Sequence, residues 1–337
     1  LFSPSWVGFN NIIEKINEIN PDIVHLHWIT GGMIKIEDLS KINYPIVWSL
    51  HDNWAFTGGC HIMWKCEKYK IECKACPVLG SNKENDLSRK IFLRKQRTFS
   101  KINNITIIGL SRWINECSKN SALLSDKNHI NLPNPIDTTI YKQFNKKIAR
   151  ELWNLPYEKK LILFGAYNAT SDINKGYKEL KAALYKLKER NIEDIECVVF
   201  GSSKPKDDQN YGVKTYYLGH LSDDISLVTL YNAVDVFVMP SLQEAFGQTA
   251  SESMACSTPV VCFGATGLTD IVDHKVNGYL ASPFDPVDLA NGIEWVLNAS
   301  NYDELCKNAR QKVLKEFDSE VVAKKYIKLY SEILGRG

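Results

Sequence analysis

Two carboxylates, Glu244 and Glu252, sit eight residues apart in M-P-S-L-Q-E-A-F-G-Q-T-A-S-E-S-M-A-C, the stretch from Met239 to Cys256. The apolar run from Val234 to Met239 ahead of it reads as a buried strand. Pro240 and Ser241 break that strand, Gly247 permits a tight loop, and small helix-compatible residues follow from Gln248 on. Strand, loop and helix start in this order leave backbone N–H groups open at the carboxyl edge of a sheet. That is where α/β folds hold phosphorylated ligands. A phosphate at such a helix start needs no carboxylate, so Glu244 and Glu252 are expected to face hydroxyls or a cation. Sugar hydroxyls on the two sides of a diphosphate would satisfy both.

Three other groups of residues carry possible chemistry. The loop G-A-Y-N-A-T-S-D-I-N-K-G, from Gly165 to Gly176, lies between a strand beginning at Leu161 and a helix expected from Tyr177 to Arg190. Glycine loops that open helices can cradle phosphate. A helix start disfavours a cation, so Lys175 there points to an anionic partner, the alternative being an ordinary surface lysine. His51 and Asp52 close an expected strand from Pro45 to Leu50, again at a carboxyl edge, and His51 is either a strand cap or a site residue. Cys60, Cys66, Cys73 and Cys76 follow in the spacing C-x5-C-x6-C-x2-C. These four thiols either hold a structural zinc ion in a tetrahedral set or are buried thiols without metal. Four cysteines leave no open position, so a catalytic zinc is not expected.

The elements that position these residues alternate. In the amino-terminal half, Phe9 to Ile19 has helical spacing, and Asp22–Trp28, Pro45–Leu50, Ile105–Leu110 and His129–Leu132 read as strands with helices between. Such alternation implies a parallel, doubly wound sheet. Leu87 to Ile102 is an amphipathic helix capped by Asp86, with Arg89, Lys90, Arg94, Lys95, Arg97 and Lys101 on it. It is either a solvated face or a contact for an anionic membrane or a diphosphate-linked acceptor. Pro133-Asn134-Pro135-Ile136-Asp137 and the polar stretch to Arg150 read as a linker, with a domain boundary near residue 145. The second half repeats the alternation and ends in helices at Pro286–Leu297, Tyr302–Phe317 and Val321–Leu334.

Composition bounds the rest. With 337 residues the chain is long enough for two domains, and 44% hydrophobic and 24% charged residues are ordinary for a globular protein. A net charge of +2 offers no global argument for nucleic acid, and no stacking-aromatic array accompanies the basic helix. No apolar run approaches a membrane span. Nine cysteines, five of them scattered, suit a reducing compartment and a cytoplasmic placement. The basic helix would add peripheral contact with the inner face of the plasma membrane.

The E-x7-E spacing, with E-A-F-G inside it, the buried strand before it and the glycine-rich Gly264–Leu268 after it, resembles the retaining nucleotide-sugar glycosyltransferases of family 4. The run H-D-N-W-A-F-T-G-G-C-H from His51 to His61 is similar to one in a polysaccharide-assembly branch of that family. The resemblance implies the GT-B fold: two Rossmann-like doubly wound domains with a cleft between them. Residues 1–145 would be the acceptor-side domain with a Cys-rich insertion at 60–76. Residues 146–337 would be the nucleotide-sugar domain, its last helix crossing back. The family carries earlier strands and a glycine-rich loop that are not seen before Asp22, so the chain, which starts at Leu1, is expected to lack the beginning of its first domain.

For the site, the resemblance implies that Glu244 hydrogen-bonds the donor sugar and that Ala245, Phe246 and Gly247 offer it backbone N–H groups. Gln248 and Thr249, at the helix start, would face the diphosphate with Gly165 and Lys175. Glu252 would accept both ribose hydroxyls, and His51 would lie near the transferred sugar. The family's loop also presents an arginine where this sequence has Gly165-Ala166, so one cation on the diphosphate is missing. No divalent cation or other cofactor is expected, and no Asp-x-Asp motif stands in a suitable loop. The acceptor would be a saccharide or a lipid-linked saccharide in surface polysaccharide assembly. Rival classes are a sugar-nucleotide epimerase and a GT-B protein that binds nucleotide sugar without transferring it.

Overall fold

The computed structural model describes residues 1–9, 11–192, 194–205 and 212–336. The chain forms two compact units, Leu1–Pro133 together with Lys324–Gly337, and Asn134–Ala323. Residue 145, the boundary expected from linker composition, therefore lies inside the second unit.

In the first unit α1 (Ile12–Ile19) is followed by four strands, β1 (Val24–Leu26), β2 (Ile46–Leu50), β3 (Ile105–Gly109) and β4 (Asn128–Asn131), all parallel and in that order. Every residue of β2 and β3 is buried, as parallel strands covered on both faces require. Two helices lie between the strands, α2 (Leu87–Phe99) and α3 (Arg112–Lys119). Asp86 caps α2, accepting from Arg89 N–H at 3.1 Å, and also accepts from Cys76 N–H at 2.7 Å. One carboxylate thus ties the cysteine-bearing loop to the helix start. The expected first strand is shorter than its sequence pattern, because His27 and Trp28 leave the sheet beyond Leu26.

The second unit begins with α4 (Lys146–Leu152) and builds a six-stranded parallel sheet from β5 (Lys160–Gly165), β6 (Ile195–Phe200), β7 (Thr215–Tyr217), β8 (Val236–Met239), β9 (Val260–Phe263) and β10 (Gly278–Ala281). Its order is β10-β9-β8-β5-β6-β7. The chain therefore winds outward in one direction from β5 and in the other from β8. These two strands pair at Ile162↔Val236 and Leu163↔Phe237, and the crevice at their carboxyl ends is the topological switch point of a doubly wound sheet. Around the sheet lie α5 (Tyr177–Glu189), α6 (Asp224–Ala233), α7 (Gln248–Ala255), α8 (Pro286–Leu297) and α9 (Tyr302–Glu316). Ile162, Phe164, Val236, Val238, Val261 and Phe263 form its core with Leu180, Leu184, Leu289 and Ile293 from the helices. The final helix, α10 (Ser319–Ile333), starts in this unit, and its residues from Lys324 belong to the first. There Leu329 packs with Val47, Ile108 and Leu132.

The two loops that leave β5 and β8 are joined backbone to backbone. Leu242 N–H donates to Asn174 O at 2.9 Å, and the Asn174 side-chain amide donates to Gln243 O at 2.8 Å. Gly176 has φ 72°, and a Cβ there would lie 1.9 Å from Pro240 O. Only glycine satisfies both the left-handed backbone and the close approach. Gly176→Ala is therefore expected to destabilise the protein by on the order of 3 kcal/mol, measurable as a lowered urea midpoint at unchanged slope. An unshifted midpoint would show that the two loops part without cost.

Candidate functional site

At the switch point Lys175 lies in a short 3₁₀ turn, Ile173–Lys175, that the side chain of Asp172 opens by accepting from Asn174 N–H. Its Nζ meets Glu244 Oε1 at 2.8 Å, with both side chains mostly buried. Sequence reading assigned these two residues to different parts of a ligand, and the structure brings them into one ion pair. An ammonium has three donors, so two protons of Lys175 remain for an anion beside Glu244.

Glu244 is held by its backbone from the loop after β9. Its N–H donates to Thr266 Oγ1 at 3.1 Å, and its carbonyl accepts from Gly267 N–H at 2.9 Å. A Cβ at Gly267 would meet Ala245 O at 2.6 Å, which explains a glycine in that loop. Phe246 turns its ring inward, 3% exposed and edge-on to Phe317 at 5.3 Å, so only its backbone can face a ligand. Gly247, at φ 118°, stands at the N-cap of α7 with no side chain capping the helix. The N–H groups of Gln248 and Thr249 are thus helix-start donors without an intrahelical acceptor. Gly165 plays a packing part: a Cβ there would strike the Phe200 ring at 2.1 Å.

Glu252 sits in the second turn of α7 and is 8% exposed. The fully buried Tyr231, from α6, donates its hydroxyl to Glu252 Oε2 at 3.1 Å. Burial pushes this carboxyl up to about 7, against hydrogen bonds from Tyr231 and Gln248, and the nearby Asp224 adds to the rise. Tyr231 carried no sequence signal beyond an apolar helix position. Thr266 was readable only as part of the glycine loop.

In the first unit His51 follows β2 and hydrogen-bonds through Nε2 to His27 Nδ1 at 2.9 Å. Asp52 beside it is fully engaged: Oδ2 accepts from Trp28 Nε1–H at 2.9 Å and meets His61 Nδ1 at 2.7 Å, while Oδ1 accepts from Trp54 N–H at 2.7 Å. His61 Nε2 reaches Ser3 Oγ at 2.8 Å. The run from His51 to His61 is therefore a folded loop whose polar groups fix one another. Sequence reading singled out His51 and missed His27. The signal was present in D-I-V-H-L-H-W, where two histidines alternate on one side at the end of a strand.

The structure bears on two pairs of alternatives that the sequence leaves open. Among the described residues no group of three or more His, Cys, Asp or Glu side chains is placed to hold a metal ion, Cys60, Cys66, Cys73 and Cys76 included. Cys60, Cys73 and Cys76 are buried, and Cys73 Sγ accepts from Gly58 N–H at 3.2 Å. Burial pushes the Cys60 and Cys73 thiols up to about 11 and about 12. The basic helix α2 is not a six-cation face either. Lys95 is fully buried under the loop, donating to Trp54 O and to Thr57 O (3.0 Å), with its Nζ 3.6 Å from the Trp54 ring centre. Arg89 pairs with Glu72 and Arg94 with Glu37. Lys90, Arg97 and Lys101 are the members left exposed. No helix among the described residues is long and apolar enough to cross a membrane.

The elevated Glu252 carboxyl has a consequence for stability. The folded protein holds the proton more tightly than the unfolded chain, whose carboxyl ionises near 4.5. Stability should therefore fall as pH rises from about 4.5 to about 7 and level off above. Glu252→Gln keeps an acceptor for Tyr231 and removes the titration. Its melting temperature relative to wild type is expected to rise across that window, and parallel melting curves would contradict the buried, proton-retaining carboxyl.

Residues 146–313, which include Lys175, Glu244 and Glu252, match the family model of the glycosyl transferases group 1. An uncharacterized glycosyltransferase of Methanocaldococcus jannaschii is 28% identical over 358 residues, a match covering 96% of this chain and 88% of that protein. Among solved structures, sucrose-phosphate synthase from Thermosynechococcus elongatus superposes with a TM-score of 0.73 at 22% identity, over 96% of this chain and 76% of that one. Anabaena HepE in complex with UDP-glucose gives a TM-score of 0.65 at 17% identity, over 96% and 81%. Two parallel Rossmann-like sheets and these structural likenesses establish the GT-B fold. With its carboxyl-terminal unit matched to the family and a relative along nearly its whole length, this chain is a glycosyltransferase of group 1.

Proposed function

We propose that this glycosyltransferase is a retaining enzyme of the family-4 kind. It moves a sugar from a nucleoside diphosphate sugar to a hydroxyl of a saccharide or lipid-linked saccharide. The observation that carries the reading is the 2.8 Å pair of Lys175 with Glu244 at the switch point, beside the open start of α7. A diphosphate set against Gln248 and Thr249 N–H would take the remaining protons of Lys175. The sugar would then lie over Glu244 and the backbone of Ala245 to Gly247. The barrier in such a transfer is the breaking of a glycosyl–phosphate bond through an oxocarbenium-like state. Donors fixed in advance around the departing diphosphate stabilise the charge that develops there. Glu252, one helical turn on, serves the ribose hydroxyls as an acceptor, a use of carboxylates familiar from dinucleotide sites. Capture of UDP-glucose by HepE, which shares the fold, supports a nucleotide-sugar donor.

The acceptor reading rests on the run from His51 to His61 and its resemblance to polysaccharide-assembly enzymes, with His51 near the transferred sugar. Nine cysteines, five of them scattered along the chain, support a cytoplasmic placement. Peripheral contact with an anionic membrane would rest on Lys90, Arg97 and Lys101 alone.

Glu244→Ala and Lys175→Ala are each expected to lower turnover by at least ~100-fold, as loss of a preorganised charged group does. Glu252→Ala should weaken donor binding more than it slows turnover. Release of nucleoside diphosphate from a panel of nucleotide sugars, with anomeric configuration of the product read by NMR, checks all three. Near-normal turnover in both of the first two variants, or donor binding without release by the wild-type protein, would sink the assignment. An inverted product would remove the retaining mechanism.

A further inference from the structure

Three imidazoles form a column at the carboxyl ends of β1 and β2. The His25 ring stacks on His27 at 4.3 Å between centroids, and His27 lies 5.2 Å from His51. His25 is locked at both nitrogens, Nδ1 to the Tyr330 hydroxyl at 2.7 Å and Nε2 to Ser49 Oγ at 2.9 Å. It serves as a fixed platform under His27. His27 in turn meets His51, Nδ1 to Nε2, at 2.9 Å. Such a contact is a hydrogen bond only when one of the two facing nitrogens carries a proton and the other does not. Two cationic rings would set N–H against N–H.

In a familiar arrangement a carboxylate orients a histidine. Here the carboxylate next to His51 already holds three partners: the Trp28 indole, the His61 ring and the Trp54 backbone. His27 is the side chain that hydrogen-bonds the His51 ring. The groups facing the pair are His25 on β1, Asp52 after β2, and Tyr326 and Tyr330 from α10, which flank His25. Asp52 is the one that favours a cation at His51. Burial and the neighbouring ring push the other way and win, so His51 titrates below its ordinary range, as does His27 through burial.

We propose that His27 is a positioning residue for His51, setting its rotamer and tautomer through a single proton held between Nδ1 and Nε2. The inference deepens, and rests on, the reading of His51 as a group near the transferred sugar. The pair acts as one titrating unit: as pH falls, a second proton breaks the N–H···N bond and re-aims His51. Turnover should then be lost on the acid side, through the lowered range of the pair.

The test uses the full chain, with imidazole NMR of the unliganded protein and kcat/KM against pH. In wild type the His51 ring should titrate below the ordinary histidine value. In His27→Ala it should move up toward that value, because the neighbouring ring that lowers it is gone, and the acid limb of kcat/KM should move with it. At the pH optimum kcat should fall about tenfold or more, a loss of the size that misplacement of a reacting group brings. His27→Asn places an amide where Nδ1 stood, and should restore kcat to within about threefold. A His51 titration identical in wild type and His27→Ala would overturn the proposal, and so would equal kcat losses in the Ala and Asn variants. Normal turnover in His51→Ala, with the NMR coupling intact, would instead overturn the site reading beneath it.

Discussion

Gly176 runs so close to the Pro240 carbonyl that no side chain fits between them, and the crevice of the second unit is arranged around that contact. β5 and β8 leave the sheet as neighbours, and their chains turn off toward opposite flanks. Left alone, their loops would diverge. The Gly176–Pro240 approach, the Leu242–Asn174 backbone bond and the Asn174–Gln243 bond hold them together instead. Lys175 and Glu244 are then within 2.8 Å because their backbones are already committed. An ion pair this shielded costs desolvation, and the pair alone would not recover it. The backbone contacts supply the rigidity that lets charge be stored at the mouth of the crevice.

A second pattern is the placing of an ionisable group behind a site loop, where its charge is disfavoured. Glu252 is pushed up to about 7 by burial. Lys95 is fully buried and pushed down to about 7, donating to the carbonyls of Trp54 and Thr57 under the loop that follows His51. Each uses its hydrogen bonds to fix structure: Glu252 against Tyr231, Lys95 against loop backbone. Burial alone would make either an expensive residue, so each persists where neighbours fill its hydrogen-bonding capacity.

The fold was largely legible because parallel sheets covered on both faces write themselves as short apolar runs. β2, β3, β5, β6, β8 and β9 all lie in runs that stand out in the sequence, and the helices between them show 3.6-residue periodicity. Asp86 and Gly247 announced the starts of α2 and α7 through cap and turn chemistry. What periodicity cannot report is which loops meet. Lys175 and Glu244 are separated by 69 positions, and Glu252 and Tyr231 by 21. Their pairing follows from strand order, which local pattern leaves open. The four cysteines left two readings open for a related reason: spacing along the chain says how near thiols can come, and only the folded loop shows three of them turned inward. Lys95 misled, since a lysine within a basic run reads as surface until the loop that covers it is known.

The electrostatics of the loops around these residues share one logic: charge is either cancelled within the protein or suppressed by burial. Lys175 is balanced by Glu244, Asp52 accepts three hydrogen bonds, and the imidazoles of His25, His27 and His51 are held toward their neutral forms. On the proposed reading, a ligand bearing a diphosphate would change that balance in the second unit only. It competes with Glu244 for Lys175 while the α7 start adds N–H donors that cost no reorganisation. The carboxylate it partly frees is left beside the anion, where like charges repel. Glu244 is stable there only if the same ligand also brings hydroxyl donors to it. A bare diphosphate cannot meet that condition, whereas a sugar attached to one can, so on the proposed reading the pairing of Lys175 with Glu244 would discriminate for the glycosylated nucleotide.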